Sequence, residues 1–401
     1  MRVARFTTHL NPALQIQEAE VKVLVTGGAG FIGSHVVERL IARGDEVVVL
    51  DSLDPQVHGK DAQTPKNLEP LLNDPRLRFL KGNVCDRDTL DRALGETEGV
   101  IHLAAAVGVG QSMYEPYQYV HTNGCGTALL LELMAGRRQH KVEKIVVASS
   151  MSLYGEGNYH CPACDSSTPR ARTEEQLIAG QWEVRCAHCD RAMAPRATSE
   201  SKPAEIASIY AATKKHQEEL VLSFAQAYGI PAFALRFFNV YGPRQSLGNP
   251  YTGVAAIFLS RLLNRKPPMV FEDGLQSRDF IYVDDIAEAV IRALDASHKG
   301  VHAINVGTGD PVTIQGVARA VGKALGVAIE PEHLGRYRAG DIRHCFADPT
   351  RAKELLGFEA RWSFDDGVRQ LIEWSRGVEA TDRVEESLRE LESFQLVQRA
   401  V

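Results

Sequence analysis

The first 150 residues alternate between short apolar runs and longer amphipathic stretches. An apolar run at 21–25, rich in β-branched residues, is followed by glycines and by an amphipathic stretch at 32–42. Further strands are predicted from apolar runs at 46–50, 77–80, 99–104, 144–149 and 232–238. Helical spacing predicts helices at 119–134 and 209–228. Strands that are apolar on both faces and separated by helices predict a parallel sheet with helices on both sides.

This alternation is interrupted after residue 155. Residues 156–205 are polar, contain prolines and carry four of the seven cysteines. The pattern is mixed from about residue 241, and the tail after Trp374 has apolar residues at helical spacing, namely Val384, Leu388 and Leu391. We therefore divide the chain into an extension (1–20), an α/β region (21–240) with an insert (156–205), a mixed region (241–375) and a helical tail (376–401).

Composition narrows the class of protein. The chain has 401 residues, of which 44% are hydrophobic and 24% charged, as in ordinary globular proteins. Its net charge of −6 gives no reason to expect a nucleic-acid partner. No apolar run approaches the length of a membrane span, and the first 20 residues have no apolar core typical of a secretory signal. A cytoplasmic location is the default expectation.

A glycine-rich turn follows the first predicted strand. Gly27, Gly30 and Gly33 stand where that strand gives way to a helix, and Asp51 ends the next strand. Glycines at these positions let the backbone approach a pyrophosphate, whose charge the helix N-terminus then binds. A carboxylate at Asp51 accepts hydrogen bonds from ribose hydroxyls and repels a 2′-phosphate, so NAD is favoured over NADP.

At this point the chain, over about residues 21–375, resembles the extended short-chain dehydrogenase/reductase superfamily, and within it the nucleotide-sugar epimerases and dehydratases. Each motif is short, but their joint order is specific. They are Thr26-Gly-Gly-Ala-Gly-Phe-Ile-Gly33, His102-Leu-Ala-Ala105, Pro116-x-x-Tyr119-x-x-x-Asn123-x-x-Gly126-Thr127, Ser149-Ser-Met-Ser-Leu-Tyr-Gly155, Tyr210-x-x-x-Lys214, Leu235-Arg-Phe-Phe-Asn-Val-Tyr-Gly-Pro243 and Arg278-Asp-Phe-Ile-Tyr-Val-Asp-Asp285.

The resemblance implies a Rossmann-like, doubly wound parallel sheet at 21–240 that binds NAD tightly, and a smaller nucleotide-sugar-binding region at 241–375. One departure is Asn83, where the family usually has an aspartate that contacts adenine; an amide also donates and accepts hydrogen bonds. The implied cofactor residues are Gly27, Gly30, Phe31, Ile32, Gly33, Asp51, Asn83, Val84, Leu103, Ala104, Ala105, Tyr210, Lys214 and Phe237.

Tyr210 and Lys214 are four residues apart, one helical turn on the same face. A tyrosine is a poor base at neutral pH unless nearby positive charge lowers its pKa, which Lys214 and an oxidised nicotinamide would do. Such a phenolate could take a hydroxyl proton while hydride leaves the same carbon. By resemblance, Ser150 hydrogen-bonds the reacting oxygen and Lys214 also binds the nicotinamide ribose.

The two residues after Ser150 indicate the type of reaction. In 4,6-dehydratases of this family they are an aspartate and a glutamate, and the decarboxylases have a glutamate two positions after the serine or threonine. Here they are Met151 and Ser152, which supply no general acid–base pair. Oxidation and re-reduction at one carbon remain, so the resemblance implies a 4-epimerase that returns NAD unchanged.

The resemblance also implies the substrate ligands. Asn239, Arg278 and Arg338 match residues that bind the diphosphate, which two guanidiniums suit in charge and geometry. Phe271 stands where the family stacks an aromatic ring on the nucleotide base, and Arg338 begins the motif Arg338-Ala-Gly-Asp341. Without the resemblance, the sequence is equally consistent with each arginine forming only an ion pair on the surface.

The insert carries two Cys-x-x-Cys pairs, Cys161 with Cys164 and Cys186 with Cys189. The 21 residues between the pairs give the spacing of a zinc ribbon, with four thiolates closing a structural site. His160 and His188 could substitute as ligands, and a redox pair is disfavoured without a thioredoxin-like context. Six Lys/Arg against eight Asp/Glu at 156–205 disfavour nucleic-acid reading. The insert could be a lid, a pocket wall or a dimer contact.

Within the family, the motifs at 105–114 and 242–252 and the paired cysteines resemble dTDP-L-rhamnose 4-epimerases, which form dTDP-6-deoxy-L-talose. UDP-glucose and UDP-glucuronate 4-epimerases are the close alternatives. A 4-keto-sugar reductase and a non-catalytic zinc-ribbon scaffold are alternatives of other classes. Asp51 argues against the NADPH that such reductases often use, and the intact Ser150, Tyr210 and Lys214 set argues against a scaffold. Retention of NAD through purification would separate an epimerase from a reductase. Family members usually form homodimers through the helices after Pro116 and around Tyr210, and we expect the same here.

Overall fold

The computed structural model describes residues 21–60, 62–136, 142–251, 253–338 and 340–400. The extension expected at 1–20 lies outside these residues. Within the described ranges, no helix is both long enough and apolar enough to cross a membrane.

The first half of the chain builds strands and helices in strict alternation. Its strands are β1 (Lys22–Thr26), β2 (Glu46–Asp51), β3 (Leu77–Lys81), β4 (Gly99–His102) and β5 (Lys144–Ser150). Its helices are α1 (Phe31–Arg43), α2 (Pro55–His58), α3 (Arg87–Leu94), α4 (Val109–Ser112), α5 (Pro116–Tyr119) and α6 (Gly126–Gly136). The helix predicted at 119–134 is interrupted, because residues 120–125 form a π-helical turn between α5 and α6.

The insert contributes four short strands and one helix, and regular alternation resumes after it. The insert contains β6 (Asn158–His160), β7 (Pro169–Arg170), α7 (Glu174–Ile178), β8 (Arg185–Cys186) and β9 (Ala194–Arg196). The helices that follow are α8 (Ile209–Tyr228), α9 (Val254–Leu263), α10 (Val283–Asp295), α11 (Ile314–Leu325), α12 (Thr350–Leu356), α13 (Phe364–Ser375) and α14 (Val384–Ser393). The strands are β10 (Ala232–Phe237), β11 (Asn239–Tyr241), β12 (Met269–Val270), β13 (Ser277–Tyr282), β14 (Val301–Val306), β15 (Pro311–Thr313), β16 (Glu332–His333), β17 (Arg336–Arg338), β18 (His344–Cys345) and β19 (Val397–Arg399).

The central sheet has seven strands in the order β3-β2-β1-β4-β5-β10-β14, and every pair is parallel. Apolar clusters on its two faces are buried by helices, as the apolar runs predicted. The Rossmann-like fold class is therefore confirmed. The seventh strand, β14, and α10, which packs on α1, come from beyond residue 240, so the mixed region also completes the sheet.

The remaining C-terminal elements form a smaller layer around a second sheet. β13 pairs with β11, β15 and β18 there, and α9, α11 and α13 pack on it around a separate apolar cluster. The tail returns to this layer, since β19 pairs antiparallel with β17. Residues of this layer line one cavity together with Met151, which follows the carboxyl end of β5, and ligands bind at the carboxyl ends of the strands in doubly wound folds.

Candidate active site

The glycine-rich turn between β1 and α1 leaves no room for side chains. A Cβ on Gly33 would lie 2.2 Å from the Gly27 carbonyl oxygen, and one on Gly27 would lie 2.8 Å from the Ala104 nitrogen. Gly27 also has a φ of +70°, which favours glycine. No side chain caps the N-terminus of α1, so its N–H groups are exposed to a ligand. This cradle fits the pyrophosphate of a dinucleotide.

Asp51, at the end of β2, is held against this turn. Its carboxylate accepts hydrogen bonds from the N–H groups of Ala29 (3.0 Å) and Leu53 (2.9 Å), and it is 8% exposed. His58 Nε2 lies 3.7 Å away. The carboxylate thus stands beside the pyrophosphate cradle, where the adenosine ribose of NAD would extend.

The other predicted cofactor residues border the same edge of the sheet. Phe31 and Ile32 begin α1, Asn83 and Val84 follow β3, Leu103, Ala104 and Ala105 follow β4, and Phe237 ends β10. Asn83 Oδ1 accepts from the Cys85 N–H at 2.9 Å, so the NH₂ end of its amide is the one that can donate to an adenine nitrogen.

Ser150 and Tyr210 lie side by side although 60 positions separate them in the sequence. Ser150 ends β5 in register with Phe237 of β10, and its hydroxyl lies near enough to that of Tyr210 to influence the pKa of the phenol. Ser208 caps the N-terminus of α8, which places Tyr210 in the first turn. The Tyr210 N–H also donates to Ser112 Oγ of α4 at 3.0 Å. Burial raises the pKa of Tyr210, and the neighbouring Ser150 hydroxyl offsets only part of that rise.

Lys214 is 3% exposed, and its ammonium donates to the Ala148 carbonyl at 2.9 Å. Burial lowers its pKa to about 7. Burial therefore disfavours the charged form of both Lys214 and Tyr210. A phenolate and an ammonium on one face of α8 would stabilise each other, which is the arrangement a tyrosine base requires.

Asn123 positions this helix. Its Nδ2 donates to Thr213 Oγ1 (2.9 Å) on α8, between Tyr210 and Lys214, and its Oδ1 accepts from the Ala106 N–H (2.7 Å). It therefore ties the loop after β4 to the catalytic turn of α8. Asn123 lies in the π-helical turn, and sequence analysis placed it in a motif without assigning it a role.

A cavity of about 330 Å³ opens between the two layers. The four other residues predicted to bind substrate all line it: Asn239, Phe271, Arg278 and Arg338. Asn239 Oδ1 is buried and has no hydrogen-bond partner in the protein. An unpaired buried acceptor is costly, so the atom fits a site that a polar ligand completes.

One end of the cavity is cationic. Arg278 Nη2 lies 3.2 Å from Asp341 Oδ1, and Arg338 Nη2 lies 2.8 Å from Asp341 Oδ2. Burial raises the pKa of Asp341, but Arg338 and Arg278 outweigh it and hold the pKa at about 2. The Arg338 guanidinium also lies 4.7 Å from the Phe271 ring centre. Two guanidiniums beside an aromatic ring suit a diphosphate and its base.

Apolar residues of α4 and of the segment after β5 also line the cavity, together with the polar residues Ser152 and Ser208, whereas Ser150 and Tyr210 are not among the described lining residues. Met151, directly after Ser150, lines the cavity together with Val109 and Met113. Leu391 of α14 also lines it and packs on α4, because a Cβ on Gly110 would lie 3.0 Å from Leu391 Cδ2. Asp341 is the one carboxylate among the described lining residues, and it binds both arginines at the far end.

Sequence reasoning missed two parts of this cavity. Asp341 was noted within a motif, but nothing in the sequence showed that it holds both arginines. The helical spacing of the tail indicated an apolar face, which in the structure supplies Val384, Leu388 and Leu391 to the cavity wall.

The four paired cysteines converge in the insert, with their sulfurs all within 4.8 Å of one another. Two sulfur pairs, Cys161 with Cys189 and Cys164 with Cys186, are 3.5 Å apart. A tetrahedral Zn–S₄ site with bonds of about 2.3 Å has sulfurs roughly 3.8 Å apart, so the cluster fits zinc. The His188 N–H also points at Cys186 Sγ (3.4 Å), and Asp165 and Asp190, each directly after a pair, share a positive φ.

Comparisons with known proteins agree with this geometry. Residues 24–171 match the family model described as GDP-mannose 4,6 dehydratase, and residues 189–307 match that of the NAD dependent epimerase/dehydratase family. The chain is 34% identical to dTDP-L-rhamnose 4-epimerase of Burkholderia thailandensis, covering 88% of this chain and 94% of that one. It is 32% identical to UDP-glucuronate 4-epimerase of Thermodesulfobacterium geofontis, over 88% and 95%.

A solved structure shows the same architecture. The UDP-glucose 4-epimerase of Thermus thermophilus in complex with NAD superposes with a TM-score of 0.68 at 33% identity, covering 89% of this chain and all of that one. The relatives thus share a reaction, 4-epimerisation, but differ in nucleotide and sugar.

Proposed function

The chain belongs to the extended short-chain dehydrogenase/reductase family of NAD-dependent nucleotide-sugar epimerases, and we propose that its substrate is dTDP-L-rhamnose, which it converts to dTDP-6-deoxy-L-talose. Residues 21–240, completed by α10 and β14, would bind NAD, and residues 241–375 with the tail would bind the nucleotide sugar. UDP-glucose and UDP-glucuronate are the competing substrates, because relatives that use them are nearly as similar to this chain.

Tyr210, Ser150 and Lys214 carry the proton chemistry in this proposal. The Tyr210 phenolate takes the proton of the sugar 4-hydroxyl, Ser150 hydrogen-bonds that oxygen, and Lys214 stabilises the phenolate. NAD, when bound, supplies the acceptor and then the donor of the C4 hydride. Tyr210 returns its proton when the sugar has turned, so the catalytic residues end as they began.

The sugar can turn only if the rest of the substrate stays in place. Arg278 and Arg338 would hold the diphosphate, and Phe271 would stack on the base. Arg278 is pinned by contacts with the carbonyls of Ser277 (2.9 Å) and Arg343 (3.1 Å) as well as with Asp341. A rigid diphosphate site would permit the sugar to rotate about its phosphate linkage while the nucleotide stays in place.

The single observation that carries the substrate proposal is the group of apolar lining residues formed by Met151, which directly follows Ser150, and by Val109 and Met113 of α4. Both arginines among the described lining residues are bound to Asp341 at the far end. A uronic carboxylate placed against Met113, Met151 and Leu391 would therefore be desolvated without a cation, which is costly. The 6-methyl group of a 6-deoxy sugar fits the same wall without an unpaired polar group.

A proton NMR time course with purified protein, dTDP-L-rhamnose and no added cofactor tests this proposal. We expect 6-deoxy-talose signals to grow to an equilibrium mixture without net NADH formation. Matched samples with UDP-glucuronate and UDP-glucose should react at least tenfold more slowly. Faster turnover of either one would overturn the substrate assignment while leaving the 4-epimerase reaction intact.

We also propose that the four cysteines bind one structural zinc ion. Four thiolates close a tetrahedral site and leave no position for substrate. Their need to stay reduced fits a cytoplasmic location. Elemental analysis should find about one zinc per chain in the native protein and in Cys125→Ser, an exposed cysteine outside the cluster, but none in Cys186→Ser. Equal zinc in all three would contradict the site.

A homodimer through α5, α6 and α8 completes the proposal. Tyr117 (80% exposed), Val120 (47%) and Tyr228 (54%) leave large apolar surface on these elements. A surface groove lined by residues of α6 and α8, including Leu131 and Phe224, lies on the same face. Light scattering should give a mass of about twice 44.1 kDa, and Tyr117→Glu should shift it toward the single chain.

A further inference from the structure

The side chain of one arginine of the insert extends out of the insert and is buried against the main body of the protein. Arg172 lies between the two cysteine pairs, and its side chain is only 5% exposed. Its Nη1 lies 2.8 Å from Glu272 Oε1, and its Nη2 donates to the Asp341 carbonyl at 2.7 Å. Its Nε lies 3.3 Å from Glu156 Oε1. A buried guanidinium with this many partners has one orientation.

The two body residues that Arg172 contacts adjoin the groups proposed to bind nucleotide and diphosphate. Glu272, which is 2% exposed at its side chain, directly follows the base-stacking Phe271. Asp341 orients both diphosphate arginines through its carboxylate. Arg172 therefore holds the backbone of Asp341 while the side chain of Asp341 holds Arg278 and Arg338.

A second contact of the insert reaches the same strand. The rings of Trp182 and Tyr337 pack with centres 6.2 Å apart, and the Trp182 carbonyl accepts from Arg172 Nη1 at 3.3 Å. Tyr337 directly precedes Arg338 on β17. The insert thus touches the arginine-bearing segment on both sides, at Tyr337 and at Asp341.

The insert has few means of folding without its cysteine cluster. Its buried apolar cluster consists of Tyr159, Cys161, Val184, Cys186 and Met193, two of which are themselves cluster cysteines. So small a core needs a metal or another cross-link to hold one structure. Whatever orders the cysteines also fixes where Arg172 enters the body.

We propose that Arg172 is a positioning residue through which the cysteine insert preorganises the diphosphate site. This rests on the proposed function, which makes Arg278 and Arg338 the diphosphate ligands. The insert contributes to how tightly substrate is held, while the proton transfer at Tyr210 does not depend on it. This supporting role would explain why the insert is located beside the substrate cavity.

Arg172→Met tests the proposal by titration calorimetry of the NAD-bound protein with dTDP and UDP. We expect the Kd for the better ligand to rise about tenfold, and KM to rise with it, while kcat changes less than threefold and bound NAD is unchanged. The matched control is Arg170→Met, since Arg170 lies in the same insert, is 46% exposed and pairs only with the surface residue Asp190 among its described contacts.

Two further variants separate positioning from general damage to the fold. Arg172→Lys keeps the charge and should recover part of the affinity, because one ammonium can still reach Glu272 or the Asp341 carbonyl. The double variant Arg172→Met/Asp341→Asn should bind dTDP no more weakly than Asp341→Asn alone, since both act on the same two arginines.

Additive losses in the double variant, or unchanged affinity in Arg172→Met, would overturn the positioning role. Absence of dTDP and UDP binding in the wild-type protein would instead overturn the diphosphate site itself, and the proposed function with it. Zinc content measured on each variant shows whether the insert is still folded, so a loss of affinity with full zinc is attributable to Arg172.

Discussion

The cofactor side and the substrate side of the active site are built in different ways. The glycine-rich turn, Asp51 and Ser150 lie at or just beyond the ends of β1, β2 and β5, and Tyr210 and Lys214 lie in the first two turns of α8. The substrate cavity draws Met151, Arg278, Asp341 and Leu391 from four separate segments, of which the last lies in the C-terminal tail. One side is determined by the sheet, and the other by long-range packing around it.

This difference predicts a division of function. Groups fixed by the sheet can be held with the accuracy that proton and hydride transfer need. Groups assembled from distant segments can vary with little effect on the sheet, and they face the part of the substrate that differs among the relatives. Substitutions on the cofactor side should therefore change kcat, and substitutions around the cavity should change Kd and KM.

Tyr210→Phe should give the largest effect. Removing the phenolic oxygen removes the base, and general base catalysis contributes about 10²–10⁴-fold, so kcat should fall by that factor. The Kd for dTDP should stay within twofold of wild type, measured by calorimetry beside an NMR rate assay. Tyr228→Phe, on the same helix but exposed at its far end, is the control and should be fully active. Turnover within tenfold of wild type for Tyr210→Phe would show that Tyr210 is not the base and that the cofactor side does not control kcat as proposed.

Lys214→Met should change the pH dependence of the reaction. Burial already raises the pKa of Tyr210, and a nearby cation lowers a tyrosine pKa by about 1–3 units. Without the ammonium, less phenolate is present at pH 7, so the rate should fall about 10-fold or more. Deprotonation of Tyr210 becomes more favourable as pH rises, so log kcat of the variant should climb by about one for each pH unit. The wild type, in which the Tyr210 phenolate and the Lys214 ammonium stabilise each other, should level off at a lower pH.

The neighbouring lysine provides the control for that experiment. Lys215 is one position along α8 and pairs with the buried Glu218 and the exposed Glu219. Lys215→Met should keep the wild-type pH profile. Saturating NAD should be added to every sample, because Lys214 is also proposed to bind the nicotinamide ribose. A parallel profile for Lys214→Met and wild type would show that Lys214 does not set the pKa of Tyr210.

Much of the cofactor side was predictable from the sequence because its chemistry is local. The turn of Gly27–Gly33 follows its strand directly, and Tyr210 and Lys214 share a helix. β14 was missed because His302 and Asn305 interrupt its apolar run. Asn305 is nevertheless fully buried, since its amide donates to the Thr198 carbonyl (2.8 Å) and accepts from Tyr154 (2.7 Å). No local pattern reveals partners that lie more than 100 positions away.

The substrate side was only partly predictable for the same reason. Motif position indicated Asn239, Phe271, Arg278 and Arg338, and the structure brings all four to one cavity. For the tail, the sequence indicated only a helix with one apolar face. That face packs on Gly110, about 280 positions earlier, a contact that depends on the completed fold and not on either segment alone.

Arg338→Met should weaken substrate binding and leave kcat nearly unchanged. The guanidinium is 44% exposed, and its described contacts are with Asp341 and the Phe271 ring, so its removal leaves the fold intact. A hydrogen bond to a charged group contributes about 1.5–3 kcal/mol, so the Kd for dTDP should rise about tenfold or more. Arg319→Met, an exposed arginine of α11, should leave the Kd unchanged. A fall in kcat with unchanged Kd would mean that Arg338 acts in the chemical step and not in substrate binding, contrary to the division of function stated above.

Leu391→Ala should give the smallest change in binding. It tests whether the sugar and the diphosphate contact different parts of the cavity. Leu391 packs on α4, whose Ser112 accepts from the Tyr210 N–H, so we expect it to contact the sugar and not the diphosphate. Losing apolar contact at one wall position costs about 1 kcal/mol at the low end of the usual range, so KM for dTDP-L-rhamnose should rise about fivefold. The Kd for dTDP, which has no sugar beyond its deoxyribose, should not change, nor should either value in Leu275→Ala, a control on an exposed leucine. Equal losses for dTDP and for the nucleotide sugar would mean that the tail supports the whole cavity, and the apolar wall would then no longer explain the choice of sugar.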